Sequence, residues 1–159
     1  MSSEELNELL SILAATPAKI QNLLKEIPDE QLRHRHSEGE FSCVENVCHL
    51  RDIEAEGYTT RINRILKENR PFLADIDGGR LAVERDYNNQ DIDKAQAAFA
   101  LASTGNARAI IDLGPEELSR EGTLEGVGSV RLDQLLLMMR DHDAVHLKEI
   151  EQIRQRLSD

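Results

Sequence analysis

The sequence from residue 132 to residue 157 reads LDQLLLMMRDHDAVHLKEIEQIRQRL, and it decides the fold. Its side chains follow the period of an α-helix, and no glycine or proline interrupts them. The pattern predicts a last helix from about Val130 to Leu157, with one face much more apolar than the rest. The residues of that face lie within about 120° of one another: Leu132, Leu135, Leu136, Met139, His142, Asp143, His146, Ile150, Ile153 and Leu157.

Two histidines and an aspartate occupy the middle of this apolar face. His142 and His146 are four residues apart, so both imidazoles project from one side and can chelate a single metal ion. A buried imidazole without a partner loses hydrogen bonds at a cost of roughly 1–3 kcal/mol per group, which a metal would offset. A simple histidine–carboxylate pair with Asp143 or Glu149 is the plainer interpretation, and it stays open here.

Three further helices are predicted upstream of this one. Ser2 and Glu5 form a capping-box pattern that opens the first helix, which extends to about Ile27. Thr16-Pro17 interrupts it, with either a kink or a short break, and Thr16 is a candidate cap of the second half. A second capping box at Ser42 opens a helix that ends near Lys67 or Glu68. A third helix is predicted over about 91–113.

The connections are less regular than the helices. Residues 69–90 are acidic and contain Gly78-Gly79, and they predict a long loop that serves as a lid or a crossover. Residues 114–129 are rich in glycine, and a small β-hairpin or an extended loop is expected from Thr123 to Val130. The composition contains many good helix formers and only 3% aromatic residues, which favours a single all-α domain over residues 1–159.

The charge and the cysteines exclude several classes of protein. The formal net charge is −11, which argues against binding to nucleic acid or to an anionic membrane surface. The two cysteines, Cys43 and Cys48, are offset by about 140° on one helix, so a disulfide between them is not expected. There is no apolar leader and no membrane-length apolar run, and a reducing, cytoplasmic location is therefore predicted.

A third metal ligand is best supplied by His49, in the middle of the second helix. Glu45, Asp52 and Glu56 lie on the same side of that helix, although an ordinary solvated face would look the same. Cys48 points about 100° away from His49 and is expected to be a small buried hydrophobe. The remaining histidines, His34 and His36, fall in the connection before this helix and are predicted to be exposed.

Two segments resemble the DinB/YfiT-like superfamily. Residues 41–50 read FSCVENVCHL and resemble the second-helix motif of that superfamily, together with the side chains that follow, Asp52, Glu54, Tyr58 and Arg61. Residues 141–150 read DHDAVHLKEI and resemble its last-helix motif. The chain departs from the usual pattern at Phe41, where tryptophan is common, and at Arg131, where threonine often caps the last helix. Ser129 is the expected cap instead.

The resemblance implies an up-down-down-up four-helix bundle that often forms a homodimer. It implies a site for zinc, nickel or iron whose ligands, carried over by position, are His49, His142 and His146. Characterised relatives include S-transferases and isomerases that use low-molecular-weight thiols such as bacillithiol or mycothiol. Many other members have no established activity.

The leading functional expectation is metal-dependent thiol transfer in detoxification or stress response, with a small thiol and an electrophile as substrates. Three histidines leave a coordination position open, where a thiol would become the competent nucleophile. Glu45, Asp52 and Asp143 are candidates for orienting ligands or moving protons. The alternatives are a metal-dependent hydrolase, a non-catalytic metal-binding bundle, and a bundle without metal. An accessible cavity above the histidines would favour an enzyme, and a closed site a structural role.

Overall fold

The computed structural model describes residues 1–157 and consists mostly of helices. The helices are α1 (Ser3–Lys25), α2 (Cys43–Asp52), α3 (Thr59–Lys67), α4 (Gly78–Glu84), α5 (Ile92–Ile110), α6 (Pro115–Leu118) and α7 (Leu132–Arg156). The strands are β1 (Phe72–Leu73), β2 (Glu121–Leu124) and β3 (Gly128–Arg131). Within the described residues, no helix combines the length and the hydropathy needed to cross a membrane.

The four long helices form a bundle with up-down-down-up directions, as the resemblance implied. Helices α1 and α7 are parallel, because the N-terminal amine contacts Asp133 at one end and Glu26 contacts Arg154 at the other. Helix α5 is antiparallel to α1, because Gln96 donates to the carbonyl of Pro17 and Ser103 to that of Leu13. Helix α2 is antiparallel to α7, as the contacts between their histidines show below.

Helix α1 is continuous through Pro17, so the predicted interruption at Thr16-Pro17 is not a break. Ser2 and Glu5 form the expected capping box. A proline inside a helix leaves the carbonyl four residues earlier without its usual donor. Here that carbonyl belongs to Leu13, and the Ser103 hydroxyl of α5 donates to it at 3.5 Å. Thr16 does not cap a second helix, because its hydroxyl donates to the carbonyl of Ile12.

The second long helix begins at the predicted capping box of Ser42 and ends at Lys67. It contains a π-helical turn, Ile53–Tyr58, between α2 and α3, which the periodicity did not predict. Thr59 closes this turn by donating its hydroxyl to the carbonyl of Glu54 at 2.9 Å. Such turns insert one residue into a helix and are frequent at functional sites. The turn begins at Ile53, four residues after His49.

Residues 69–90 were predicted to be a long loop, but they contain β1, α4 and a 3₁₀ turn at Tyr87–Asn89. Strand β1 pairs in parallel with β2, and β2 and β3 form the small hairpin that was one of the two expectations for this region. Helix α6 was not predicted. The expected Ser129 cap is wrong: Ser129 lies in β3, and the backbone N–H of Arg131 donates to Gln134 at the start of α7.

The buried core is divided into two apolar clusters. One contains the first halves of α1 and α7, together with α3, the hairpin and the end of α5. The other contains α2, α4, the first half of α5 and the second halves of α1 and α7. Between the clusters, each of the four long helices buries polar side chains, which we call the polar layer: Thr16, Glu54, Ser103, Asn106, Asp143 and His146. Both cysteines are free, as predicted, and both are buried, which was predicted for Cys48 alone.

Candidate metal centre

The start of α2 fixes the position of His49. The Ser42 hydroxyl accepts from the Glu45 N–H at 3.2 Å, and the Glu45 carboxylate accepts from the Ser42 N–H at 2.9 Å. This capping box is buried, and it has two additional partners. Arg35 pairs with Glu45, and Ser42 donates to Asn88 at 2.6 Å. A cap fixed on several sides holds the first turns of α2 in one register.

Three imidazoles meet in the space between α2 and α7. The Nε2 atoms of His49 and His142 are 3.0 Å apart. The ring centre of His146 lies 4.5 Å from that of His49 and 4.7 Å from that of His142. One nitrogen from each ring belongs to a set whose members all lie within 4.8 Å of one another. Two nitrogens bound to one zinc ion in a tetrahedron lie roughly 3.3 Å apart, so the spacing fits shared coordination.

Hydrogen bonds fix the ring of His146. Its Nδ1 lies 2.7 Å from Oδ1 of Asn46 and 3.1 Å from the Glu149 carboxylate. The amide of Asn46 is oriented in turn, because its NH₂ group donates to the carbonyl of Ser42 at 3.1 Å. Both groups facing Nδ1 are acceptors, so in the neutral imidazole Nδ1 carries the hydrogen and Nε2 has the lone pair. This is the tautomer that binds a metal through Nε2.

Packing, rather than a hydrogen bond at Nδ1, holds the ring of His49. Its Nδ1 is buried without a hydrogen-bond partner in the described chain. The ring of Phe41 lies 5.5 Å away, between centres. A Cβ added at Gly78 would be 2.2 Å from Cε1 and 2.6 Å from Nδ1 of His49, so the first residue of α4 has to be a glycine for the ring to stay in place.

Burial keeps His49 and His142 neutral. It lowers the pKa of His49 to about 3, with additional repulsion from His146 and His142. Burial also lowers the pKa of His142 to about 4, and the positive charge of Arg61 contributes. Neutral imidazoles at physiological pH have lone pairs available for a cation, which is the protonation state that a ligand set requires.

Two buried carboxyl groups lie behind the histidines in the polar layer. Asn106 donates to Glu54 at 2.9 Å, while the two oxygens of Asp143 have no hydrogen-bond partner within residues 1–157. Burial raises the pKa of Asp143 to about 7 and, with repulsion from Asp143, that of Glu54 to about 8. Oδ1 of Asp143 is 3.6 Å from Nδ1 of His142, so a small movement would let it accept that N–H.

Clefts reach the histidines from two sides. One, of 370 Å³, is lined by His49 and His142 together with residues of α3, the hairpin and α7. The other, of 310 Å³, is lined by His146 and Glu149 and by the segment before α2. Both volumes are in the range of small-molecule sites, roughly 300–1,000 Å³. The histidines are therefore accessible from outside the bundle.

A comparison with models of protein families shows which family the chain belongs to. The family model described as the DinB superfamily matches residues 12–150. The chain belongs to the DinB superfamily. A search of curated proteins finds no match.

Among solved structures, this DinB-superfamily chain is similar to YfiT from Bacillus subtilis. The two share 19% sequence identity and superpose with a TM-score of 0.92, over 99% of this chain and 90% of YfiT. YfiT is described as a probable metal-dependent hydrolase with an unusual four-helix bundle topology. At this identity, the likeness establishes a common fold.

The other predicted site residues of this DinB-superfamily chain differ in the partners that they contact. Glu45 caps α2 and pairs with Arg35, and Asp52 binds Arg51, Arg85 and the Tyr87 hydroxyl. Of the three candidate carboxylates, Asp143 has the shortest described contact with a histidine of the set. Burial raises the pKa of Cys48 to about 11, as suits a buried hydrophobe.

The loop histidines, His34 and His36, lie outside the three-histidine set. Their rings pack against each other, with centres 4.9 Å apart.

Three residues of the site were not singled out as functional by sequence reasoning: Asn46, Arg61 and Gly78. Asn46 is three residues before His49, so it faces nearly the same side of α2, and this spacing was a usable signal. Arg61 appeared only as part of the motif that resembles the family. No local signal pointed to Gly78, because its role depends on a ring from a helix that lies far from it in sequence.

Proposed function

We propose that the chain binds one divalent metal ion through His49, His142 and His146 and uses it in an enzymatic reaction. The observation that carries the proposal is the convergence of three imidazoles from two helices, with their ring nitrogens facing one another beside an open cleft. Lowered pKa values of His49 and His142 and the fixed tautomer of His146 suit a neutral ligand set.

The ion would lower the pKa of a thiol or a water molecule and supply a nucleophile near neutral pH. The residues of the chain prepare the site for this chemistry. Asn46 and Glu149 orient His146, Gly78 leaves room for His49, and Asp143 lies where it can accept the N–H of His142. Partners of this kind fix the ring orientation and raise the basicity of metal ligands.

Thiol transfer to an electrophile is the first candidate reaction, and it derives from the resemblance of the two helix motifs. Hydrolysis is the second, and the description of YfiT as a probable metal-dependent hydrolase favours it. A non-catalytic, metal-stabilised bundle is a weaker candidate, because a purely structural site has no need of a cleft of 370 Å³ at two of its ligands.

Elemental analysis of untagged protein tests the metal site. The wild type should contain about one equivalent of metal after incubation with zinc, nickel or iron(II), and His142→Ala should contain almost none. His34→Ala is the matched control, because it removes a histidine from the loop and should leave the metal content unchanged. A wild type that stays metal-free with all three ions would overturn the proposal.

The reaction is tested with the metal-loaded protein. A panel of electrophiles is assayed with low-molecular-weight thiols, and a panel of esters and amides is assayed without them. Turnover only when a thiol is present supports transfer, and turnover of an ester or amide with water supports hydrolysis. A loaded protein inactive on both panels would contradict the enzymatic part of the proposal and leave the metal site standing.

A further inference from the structure

Arg61 on α3 is a buried cation whose charge is poorly balanced. Its side chain is 9% exposed, and its only carboxylate partner in the described chain is Asp75, at 3.5 Å. Asp75 is itself 69% exposed, so water screens the pair. A charge taken out of water usually has a close, hydrogen-bonded partner of opposite sign. In a chain with a formal net charge of −11, a buried arginine with such a loose partner is a notable exception.

The guanidinium of Arg61 is held in place by hydrogen bonds along one of its edges. Its Nε and Nη2 donate to the carbonyl of Ala74 at 3.3 and 2.8 Å. Its Nη1 makes no hydrogen bond to any of residues 1–157. Gly57, one turn earlier, has no side chain to cover this nitrogen, and a Cβ built there would approach it to 3.8 Å. One edge of the fork is therefore committed to the backbone, and Nη1 is available to a ligand.

A second donor lies beside Arg61. The guanidinium carbon is 5.7 Å from the ring centre of Tyr58, whose ring centre is in turn 5.9 Å from that of His142. The Tyr58 hydroxyl forms no hydrogen bond with the residues that the structure describes. Burial raises the pKa of Tyr58, so this hydroxyl stays protonated and can donate. Tyr58, Arg61 and His142 all line the 370 Å³ cleft.

The rest of this cleft restricts the size and charge of a ligand. Its walls combine polar side chains with apolar ones such as Ile53, Ile76 and Met138, and Asp75 and Glu125 add negative charge near its mouth. Glu125 also accepts from the N–H of Asp75 at 3.0 Å. Acidic groups at the mouth disfavour a phosphate with two charges, so a carboxylate with one charge is the better match for Nη1, the available nitrogen of Arg61. The apolar walls suit a short carbon chain.

We propose that Arg61, together with the Tyr58 hydroxyl, binds the carboxylate of a small organic substrate whose other end reaches the three histidines. This inference rests on the proposed function for the metal, but the carboxylate site is defined by α3 and does not require the ion. In a thiol-transfer reaction the matching cosubstrate is a short mercaptocarboxylate, with its sulfur at the histidines and its carboxylate at Arg61.

The test uses cobalt(II)-loaded protein, in which binding of a thiolate produces a charge-transfer absorption. The protein is titrated with 3-mercaptopropionate and with 2-mercaptoethanol, which differ in the carboxylate. The wild type should bind the mercaptocarboxylate about tenfold more tightly, the value of one charged hydrogen bond. Arg61→Gln should reduce the preference to within about twofold. Arg64→Gln is the matched control, because Arg64 is one turn away and pairs with Glu68 on the surface.

A wild type without this preference, or an Arg61→Gln variant that keeps it, would overturn the carboxylate site. Arg61→Lys, which keeps the charge without the fork, should show an intermediate preference and serves if the glutamine variant fails to fold. A chain that binds no cobalt contradicts the metal proposal. The carboxylate site is then decided with metal-free protein: propionate should shift the amide NMR signals of Ala74 and Asp75 in the wild type and not in Arg61→Gln.

Discussion

The two sides of the three-histidine set hold their ligands by different means. On the α7 side, His146 is oriented by hydrogen bonds from its Nδ1 to Asn46 and Glu149. On the α2 side, His49 has no hydrogen bond at Nδ1 and is confined by the ring of Phe41 and the backbone of Gly78. Hydrogen bonds select both a tautomer and an orientation, whereas packing selects an orientation alone. The two sides should therefore respond to different substitutions.

The largest effect is expected from Gly78→Ala, which acts on the packed side. The new methyl would lie 2.2 Å from Cε1 of His49, so the ring or α4 has to move. Displacement of a ligand by an ångström or more should weaken zinc binding by about 100-fold or more. Competition titration with a chromophoric chelator measures the affinity.

Gly79→Ala is the matched control for this variant. Its methyl would meet only a side-chain oxygen of Asp77 at 3.5 Å, and alanine is a better helix former than glycine. Its zinc affinity should equal that of the wild type. Equal affinities for wild type and Gly78→Ala would show that α4 yields easily and that packing does not hold His49.

Asn46→Ala acts on the hydrogen-bonded side, and its effect should be second in size. Loss of Oδ1 removes the shorter of the two acceptors at Nδ1 of His146, and zinc affinity should fall by about 10- to 100-fold. Asn46→Asp keeps an acceptor oxygen and should retain most of the affinity. Asn63→Ala is the control, because Asn63 makes the same type of bond to a carbonyl four residues earlier, away from the histidines. Unchanged binding by Asn46→Ala would assign the orienting role to Glu149 alone.

The two capping boxes provide a third test, because α1 and α2 begin with the same pattern in different surroundings. Ser42 is buried and also donates to Asn88, while Ser2 is exposed and makes only the capping bonds. Urea unfolding should give a loss of about 2 kcal/mol for Ser42→Ala and about 1 kcal/mol or less for Ser2→Ala. Zinc affinity should fall a few-fold in Ser42→Ala alone. Similar values for both variants would mean that the start of α2 has no special role in the site.

The smallest effect is expected from Glu54→Gln, because Glu54 contacts none of the three histidines. It lies behind them in the polar layer, where it is repelled by the carboxyl group of Asp143. The pKa of Glu54 is raised to about 8 in the folded chain. Its contribution to stability is fully present below the unfolded value, near pH 4.5, and is lost as the pH rises through 8. Metal-free wild type should therefore lose stability between pH 5 and pH 9, and Glu54→Gln should lose less, with the remaining loss coming from Asp143, whose pKa is also raised by burial.

Glu56→Gln serves as the control for this pH series, because Glu56 is half exposed and pairs with Arg85. It should follow the wild-type profile. If Glu54→Gln also follows it, the raised pKa of Glu54 is not the source of the pH dependence.

Most of the fold could be predicted from the sequence because its signals are local. The capping boxes at Ser2 and Ser42 locate the starts of two long helices, and the spacing of apolar residues shows which helix faces are buried. Neither signal depends on tertiary structure. The pair His142 and His146 was visible for the same reason, since both lie on one helix. His49 was predicted from its place in the middle of the second helix, and the resemblance to the DinB/YfiT-like superfamily implies the same residue by position.

The remaining features depend on contacts between distant segments. Gly78-Gly79 indicates a loop by propensity, yet Asp77 caps a helix there by accepting from the N–H of Arg80, and α4 packs on α2. Ser129 looked like a cap, but pairing with β2 places it in a strand. The π-helical turn inserts a residue where Glu54 meets Asn106 of α5, and no local pattern signals it.

The polar layer also has a consequence for how the molecule unfolds. It crosses all four long helices and separates two apolar clusters, so the chain contains two units of stability in series rather than one continuous core. Partial opening then costs least at the layer and at the histidines beside it, where buried atoms of Asp143, His49 and His142 have no hydrogen-bond partner within residues 1–157. An ion held by the three histidines, which lie beside this layer, would stabilise the layer against opening. Amide hydrogen exchange is therefore expected to show two separate opening events in the metal-free chain and a single cooperative one after loading.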